Sequence, residues 1–257
     1  MIKESLYFIL NGRKSIDFKL INVNTSSGLM EETMMGTRSI VEQKVMGNPI
    51  PYLNRVEKEP ITLPPLSFYF EEPWNDELIE EICDWLDLEQ YGTLAFSENL
   101  NRIFKVIPIE SPSMIHNGLK QGYFTITFRC DSPYTYSPII QPIFDFSKQE
   151  ENTFEIFNRG RSEIKPYMEI IKIGDGSIRI TNSLKPNSPF ILNNLKDREK
   201  ISIYSKNTII ESSLGIERYS DFNNIYLSLP YGKNRFKIHG KCILKFQYEY
   251  MYKSLTL

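Results

Sequence analysis

Residues that could carry catalytic or metal chemistry are few in this chain of 257 residues. There are three cysteines, Cys83, Cys130 and Cys242, and two histidines, His116 and His239. The cysteines are far apart and lie in apolar stretches, which is typical of buried structural thiols and not of a disulfide framework or a metal knuckle. Neither histidine has a thiol or a carboxylate at ligand spacing. The sequence therefore predicts no zinc site and no histidine-dependent nucleophile.

Paired carboxylates are the other candidates, because some β-sandwich proteins are glycosidases. The pairs Glu71–Glu72, Glu80–Glu81 and Glu150–Glu151 are adjacent in sequence, so their side chains point in different directions. Opposed acids across a cleft would come from different strands, which a sequence cannot pair. The segment 174–176, Gly-Asp-Gly, joins two strands and precedes no helix, which favours a turn over a phosphate loop. We predict no catalytic residue, no cofactor and no metal, and keep a glycoside hydrolase as a third hypothesis.

Charge and hydropathy exclude two classes of partner. The formal net charge is -2 and the sequence pI is about 5.9, which removes the usual reason to predict nucleic-acid binding. The apolar stretch at the start is short and interrupted, and no other segment approaches membrane-spanning length. We expect a soluble protein without membrane insertion, made in a cytoplasm.

The stretch from Tyr123 to Pro142 marks the main boundary. Residues 123–130 alternate apolar and polar side chains, the pattern of a half-buried strand. Pro133, Pro138 and Pro142 follow, and none of them can donate to a sheet ladder. The sequence thus predicts two domains, 1–138 and 139–257, joined by a stiff connector.

One helix is predicted, over residues 75–88. Its apolar residues fall on a single face, and Asn75 precedes two acids as a capping residue would. Trp85 shares this face and is expected in the core. Gly92 is expected to end the helical segment.

A charged two-stranded arm precedes this helix. Arg38 to Val45 leads into the turn 47–49, Gly-Asn-Pro, and the chain returns through Tyr52 to Ile61. Such an arm has little apolar surface to bury on its own domain, which favours an oligomer contact; the alternative is a solvated loop. The residues predicted at this contact are Val45, Met46, Asn48, Pro49 and Tyr52.

The overall fold class is mainly β with an α+β element order. The first domain is expected to be an antiparallel β-sandwich carrying the helix, and the second a sandwich of many short strands. The strand that ends near Ile173 is expected to form a hairpin with Ser177–Asn182. Tyr231, beside Gly232, is the kind of exposed aromatic that a saccharide could use.

Several motifs in order resemble the distal tail protein family of long-tailed siphophages. In the first half they are Asn11-Gly12, the arm, the helix ending in Ile82-Cys83-Asp84-Trp85-Leu86, Leu94-Ala95-Phe96, and the run Phe128 to Tyr136. In the second half they are Asn158-Arg159-Gly160, Pro166 and Gly176 to Asn182. The resemblance covers nearly the whole chain.

This resemblance implies a structural virion protein of the tail tip and no enzyme. Members of the family form hexameric rings, with a tail-tube-like N-terminal domain closing the ring and a galectin-like C-terminal domain facing outward. The ring joins the tail tube protein to a baseplate hub or tail fibre and leaves a channel through which DNA passes without specific binding. The alternative is a carbohydrate-binding module for attachment to the host surface, although the second half contains no Trp and only one His.

Overall fold

The computed structural model describes Ile2, residues 4–23 and residues 32–255. The chain divides into two compact units. The first unit comprises Met1–Ser137 together with Tyr252–Leu257, and the second comprises Pro138–Met251. The described residues 252–255 therefore belong to the first unit, whereas the sequence-based division places them in the second domain.

The first unit is built mainly from antiparallel strands. In chain order they are β1 (Phe8–Leu10), β2 (Arg13–Lys14), β3 (Leu20–Val23), β4 (Arg38–Gln43), β5 (Tyr52–Lys58), β6 (Leu66–Phe70), β7 (Gly92–Phe96), β8 (Asn99–His116), β9 (Gly122–Cys130) and β10 (Thr135–Tyr136). The helix α1 (Asp76–Leu86) lies between β6 and β7 in the chain, and a short 3-10 helix spans Ser15–Phe18.

A single sheet carries the core of this unit. Its strand order is β2-β1-β7-β8-β9-β6-β3, and β10 pairs with β8. In β9, Phe124, Ile126, Phe128 and Cys130 are all buried, as their alternation with polar residues predicts. Their side chains join one apolar cluster with β1, β6, β7 and α1.

Helix α1 begins where the sequence predicts and ends earlier. The side chain of Asn75 accepts a hydrogen bond of 2.8 Å from the backbone N–H of Leu78, which confirms the N-terminal cap. The helix stops at Leu86, so the predicted end near residue 88 is too late. Gly92 instead opens β7, where a Cβ would lie 2.7 Å from the Asn11 side chain. The glycine is required by close packing and not by a helix terminus.

The second unit is a sandwich of two antiparallel sheets. Its strands are β11 (Ile143–Asp145), β12 (Glu151–Asn158), β13 (Tyr167–Lys172), β14 (Gly176–Asn182), β15 (Phe190–Leu195), β16 (Lys200–Tyr204), β17 (Ile209–Ser212), β18 (Gly232–His239) and β19 (Cys242–Gln247). The orders are β11-β19-β13-β16-β17 and β12-β18-β14-β15, and apolar side chains from both sheets form one cluster. A last strand, β20 (Met251–Tyr252), pairs with β10. The prediction of a mainly β fold is confirmed.

The hairpin predicted around residues 174–176 is wrong in its pairing. Strand β13 pairs with β16 and β19, whereas β14 pairs with β15 and β18, so this turn carries the chain from one sheet to the other. Gly174 and Gly176 do have positive φ angles, of 69° and 138°. The glycines identify a turn, but the alternation of the flanking residues does not specify the partner strand.

Candidate oligomer interface

The arm is a two-stranded sheet formed by β4 and β5. Within the described residues, neither strand pairs with any other strand. Its tip is closed by local hydrogen bonds: Asn48 N–H donates to the carbonyl of Val45, and Ile50 N–H donates to the side-chain oxygen of Asn48, both at 3.0 Å. Gly47 adopts a φ of 84°, which a glycine takes without strain. These contacts explain why Gly-Asn-Pro stands at the turn.

A β-bulge determines which side chains of the arm lie on the same face of its sheet. Ile40 lies directly opposite Val56, and Val41 lies opposite Arg55. The register then shifts, so that Glu42 lies opposite Leu53. Because of this extra residue, Leu53 lies on the same face as Ile40 and Val56, although three positions separate it from Val56.

This arrangement places three exposed apolar side chains on one face of the arm, together with Glu42. The exposed fractions of Ile40, Leu53 and Val56 are 65%, 62% and 46%. An isolated two-stranded sheet is at best marginally stable in water, and exposed apolar patches of this kind commonly mark protein interfaces. The exposed apolar side chains of the arm are therefore a candidate protein interface.

The five residues predicted from sequence lie at and beside the tip of the arm. Val45, Met46, Pro49 and Tyr52 are exposed, and Asn48 is half-buried within the turn that it stabilises. The apolar face of Ile40, Leu53 and Val56 was not among the predicted residues. This face is created by the register shift between β4 and β5, and the register of two strands cannot be read from the sequence.

The thiols do not form a reactive centre. Cys130 and Cys242 are buried as predicted, and burial raises the pKa of each thiol to about 12. Cys83 is exposed, so its predicted burial is wrong, because it occupies the outer side of α1 between Ile82 and the exposed Asp84. No group of three or more potential metal ligands occurs within the described residues. In that part of the chain, no helix has the length and apolarity needed to cross a bilayer.

The second unit contains a small cleft of about 180 Å³. Its wall includes Tyr226 and Ser228, and Lys185 lies at its side. The Lys185 ammonium donates to Ser228 at 3.0 Å and forms an ion pair with Glu163. Hydrogen bonds from Lys185 and from Ser228 hold the pKa of Glu163 below its ordinary range. The polar groups beside the cleft are thus bound to each other.

One face of the exposed Tyr231 ring is covered by Arg161. The guanidinium of Arg161 lies over its ring, 5.1 Å from the centroid, and donates to its hydroxyl at 3.3 Å. A saccharide that stacks on this ring would have to share it with Arg161 or use its other face.

A buried ion pair in the second unit has a structural role. Arg218 donates to both carboxylate oxygens of Glu199, at 2.9 and 2.7 Å, and also to Asp221 at 2.8 Å. Both Arg218 and Glu199 are almost completely buried, with exposed fractions of 4% and 0%. Every charge in this group is paired, so it supports the fold of the second unit without offering a reactive side chain.

Comparison with known protein families decides the class of this chain. Residues 3–132 match the model of a phage tail protein N-terminal domain, and residues 134–248 match that of a phage tail C-terminal domain. The chain belongs to the phage tail protein family. An SPbeta prophage-derived protein, YomH of Bacillus subtilis strain 168, is 35% identical over 254 residues, which is 98% of this chain and 100% of YomH.

Two solved structures share the fold of this phage tail protein. The Dit protein (gp 19.1) of phage SPP1, a hub adsorption apparatus protein, superposes with a TM-score of 0.67 at 10% identity, covering 95% of this chain and 98% of Dit. A chain of the phage P2 baseplate superposes with a TM-score of 0.52 at 10% identity, covering 94% and 97%. The predicted resemblance to distal tail proteins is confirmed. The chain is a phage tail protein with the fold of the SPP1 Dit protein.

Proposed function

We propose that this phage tail protein forms a homo-hexameric ring at the tail tip. The ring joins the tail tube protein to a baseplate hub or tail fibre protein and leaves a channel for DNA. Its first domain, residues 1–138 in the sequence-based division, forms the ring. Its second domain, residues 139–257, is galectin-like and faces outward.

The arm is the observation that carries this proposal. Ile40, Leu53 and Val56 expose apolar surface on a sheet that no other described strand extends. Burying this face, together with the predicted tip residues, against a second copy removes apolar area from water and stabilises the arm. The acidic net charge of -2 suits a channel that lets DNA pass without retaining it.

The particle mass of the purified protein tests the proposal. Native mass spectrometry and negative-stain electron microscopy should give a hexamer with a central opening. The double variant Ile40→Ser/Leu53→Ser should stay folded and shift towards the monomer. The matched control Leu184→Ser removes an apolar side chain that is 51% exposed on the second unit and should leave the mass unchanged. A wild-type protein that stays monomeric at high concentration, with and without tail tube protein, contradicts the proposal.

Carbohydrate binding is a weaker second candidate. Tyr231 is 54% exposed, but Arg161 already lies over its ring. A glycan array probed with the purified protein tests this alternative, and a blank array removes it.

A further inference from the structure

Three cationic side chains meet at the base of the arm. Arg38 in β4 lies directly opposite Lys58 in β5, and Lys253 lines the same crevice. Lys253 is held there because the adjacent Ser254 bridges to Met35, just before the arm begins. Like charges placed directly opposite each other across two strands repel and destabilise the pairing.

No carboxylate lies within ion-pair distance of these three cations in the part of the chain that the structure describes. Lys58 donates to the hydroxyl of Tyr134 at 3.0 Å, and neither Arg38 nor Lys253 forms an ion pair there. The crevice has a volume of about 10 Å³, which matches the ~10–15 Å³ that a single water needs. It therefore has room for one oxygen atom of a carboxylate.

The outer face of α1 has the opposite charge. Glu77, Glu80, Glu81 and Asp84 are exposed and follow the spacing that places side chains on one helical face. No basic residue occurs between Asp76 and Glu89 in the sequence. Like charges three and four positions apart destabilise a helix, and the ion pair between Asp76 and Lys120 lies outside this group. We call these four residues the acidic stripe.

We propose that the cationic base of the arm in one copy binds the acidic stripe of α1 in a second copy. This inference rests on the proposed ring and names the contact that closes it. Both surfaces belong to the first unit, and their charges are opposite. Within each surface, like charges repel one another, and a contact between the two surfaces would reduce both repulsions. A contact between two different patches of identical copies is heterologous, and such contacts generate rings when the rotation closes.

A charge-swap experiment tests this contact. Variant A carries Arg38→Glu and Lys253→Glu, so that both surfaces are acidic, and variant B carries Glu77→Lys, Glu80→Lys and Glu81→Lys, so that both are basic. Each variant alone should associate at least tenfold more weakly than wild type in native mass spectrometry. An equal mixture of A and B should recover rings that alternate A and B, because every contact again joins opposite charges.

Two matched variants control for net charge. Lys206→Glu in the second unit and Glu98→Lys away from α1 change the charge of exposed residues in the same directions, and both should assemble like wild type. Melting curves must show that A and B are folded. If A and B each form rings alone as the wild type does, the proposed contact is wrong, whereas the proposed ring is still supported. The contact is also overturned if folded A and B fail to assemble when mixed, whereas a monomeric wild type overturns the ring itself.

Discussion

The indole of Trp85 stacks on the ring of Phe18, with the two centroids 4.5 Å apart and the ring planes inclined by 23°. Phe8 lies against the indole as well, at 5.1 Å, and the Trp85 N–H donates to the carbonyl of Leu10 at 3.1 Å. One side chain of α1 therefore contacts both β1 and the 3-10 turn that follows β2. It fixes the helix on the sheet.

Replacing Trp85 with Ala should destabilise the first unit by about 3–5 kcal/mol, because a large buried aromatic is lost and a cavity remains. Urea unfolding followed by circular dichroism measures the change. Tyr91→Ala, which truncates an aromatic that is 49% exposed, is the control and should have a much smaller effect. Equal stabilities of W85A and wild type would show that the stack does not anchor the helix.

Glu199→Gln should destabilise the second unit by about 3–5 kcal/mol, because it leaves the Arg218 guanidinium buried without its full counter-charge. Thermal unfolding at neutral pH gives the difference. Glu217→Gln, a neighbouring exposed carboxylate, is the matched control. A Tm within error of wild type for E199Q would contradict the structural role of this ion pair.

The same carboxylate predicts a pH dependence. Burial raises the pKa of Glu199, but hydrogen bonds from Arg218, from the Lys196 backbone N–H and from Ser212 outweigh burial and hold the pKa below its ordinary value of 4.5. A carboxylate with a depressed pKa in the folded state stabilises the fold fully above its unfolded pKa and loses this contribution as the pH falls through the folded value. Wild-type stability should therefore decline below about pH 4.5, and the decline should be smaller in E199Q. Parallel pH profiles of the two proteins would refute this assignment.

Gly240→Ala should destabilise the second unit by at least about 1 kcal/mol. Gly240 has a φ of 106°, and a Cβ at this position would overlap the backbone carbonyl of Ser177. Gly118→Ala adds a Cβ into open space and serves as the control. Differential scanning calorimetry compares the two, and an unchanged transition in G240A would rule out the clash.

Deleting the arm tip, residues 47–51, should leave the monomer folded and weaken ring assembly. The tip hydrogen bonds are local, between residues 45 and 50, so the remaining sheet does not depend on them. Sedimentation velocity measures the loss of rings, and circular dichroism checks the fold. Rings that persist at full strength would show that the tip is only a solvated loop.

Local chemistry was readable from the sequence, while pairing across the chain was not. The alternation around Phe124 and Phe128 predicted the buried face of β9, and Asn75 predicted the start of α1. The end of α1 could not be predicted from Gly92, because the need for a glycine there arises from Asn11. That residue is distant in sequence, yet its side chain would lie 2.7 Å from the Cβ of any larger residue at position 92.

The candidate interface could likewise be predicted only in part. Composition and turn residues located the arm and its tip, including Met46 and Tyr52. The face that contains Leu53 depends on the bulge opposite Glu42, and the cationic base depends on Lys253, which returns to the first unit after the whole of the second. Both are consequences of long-range pairing, and a single sequence contains no measure of it.

The return of the chain through β20 has an evolutionary consequence. Strand β10 leads towards the second unit and β20 leads back from it, and these two strands pair with each other. The second unit is therefore an insertion whose two covalent joints lie side by side, the arrangement in which a domain is most easily exchanged or lost. Recombination at this pair of strands can therefore exchange the second unit while the first unit keeps its sheet intact.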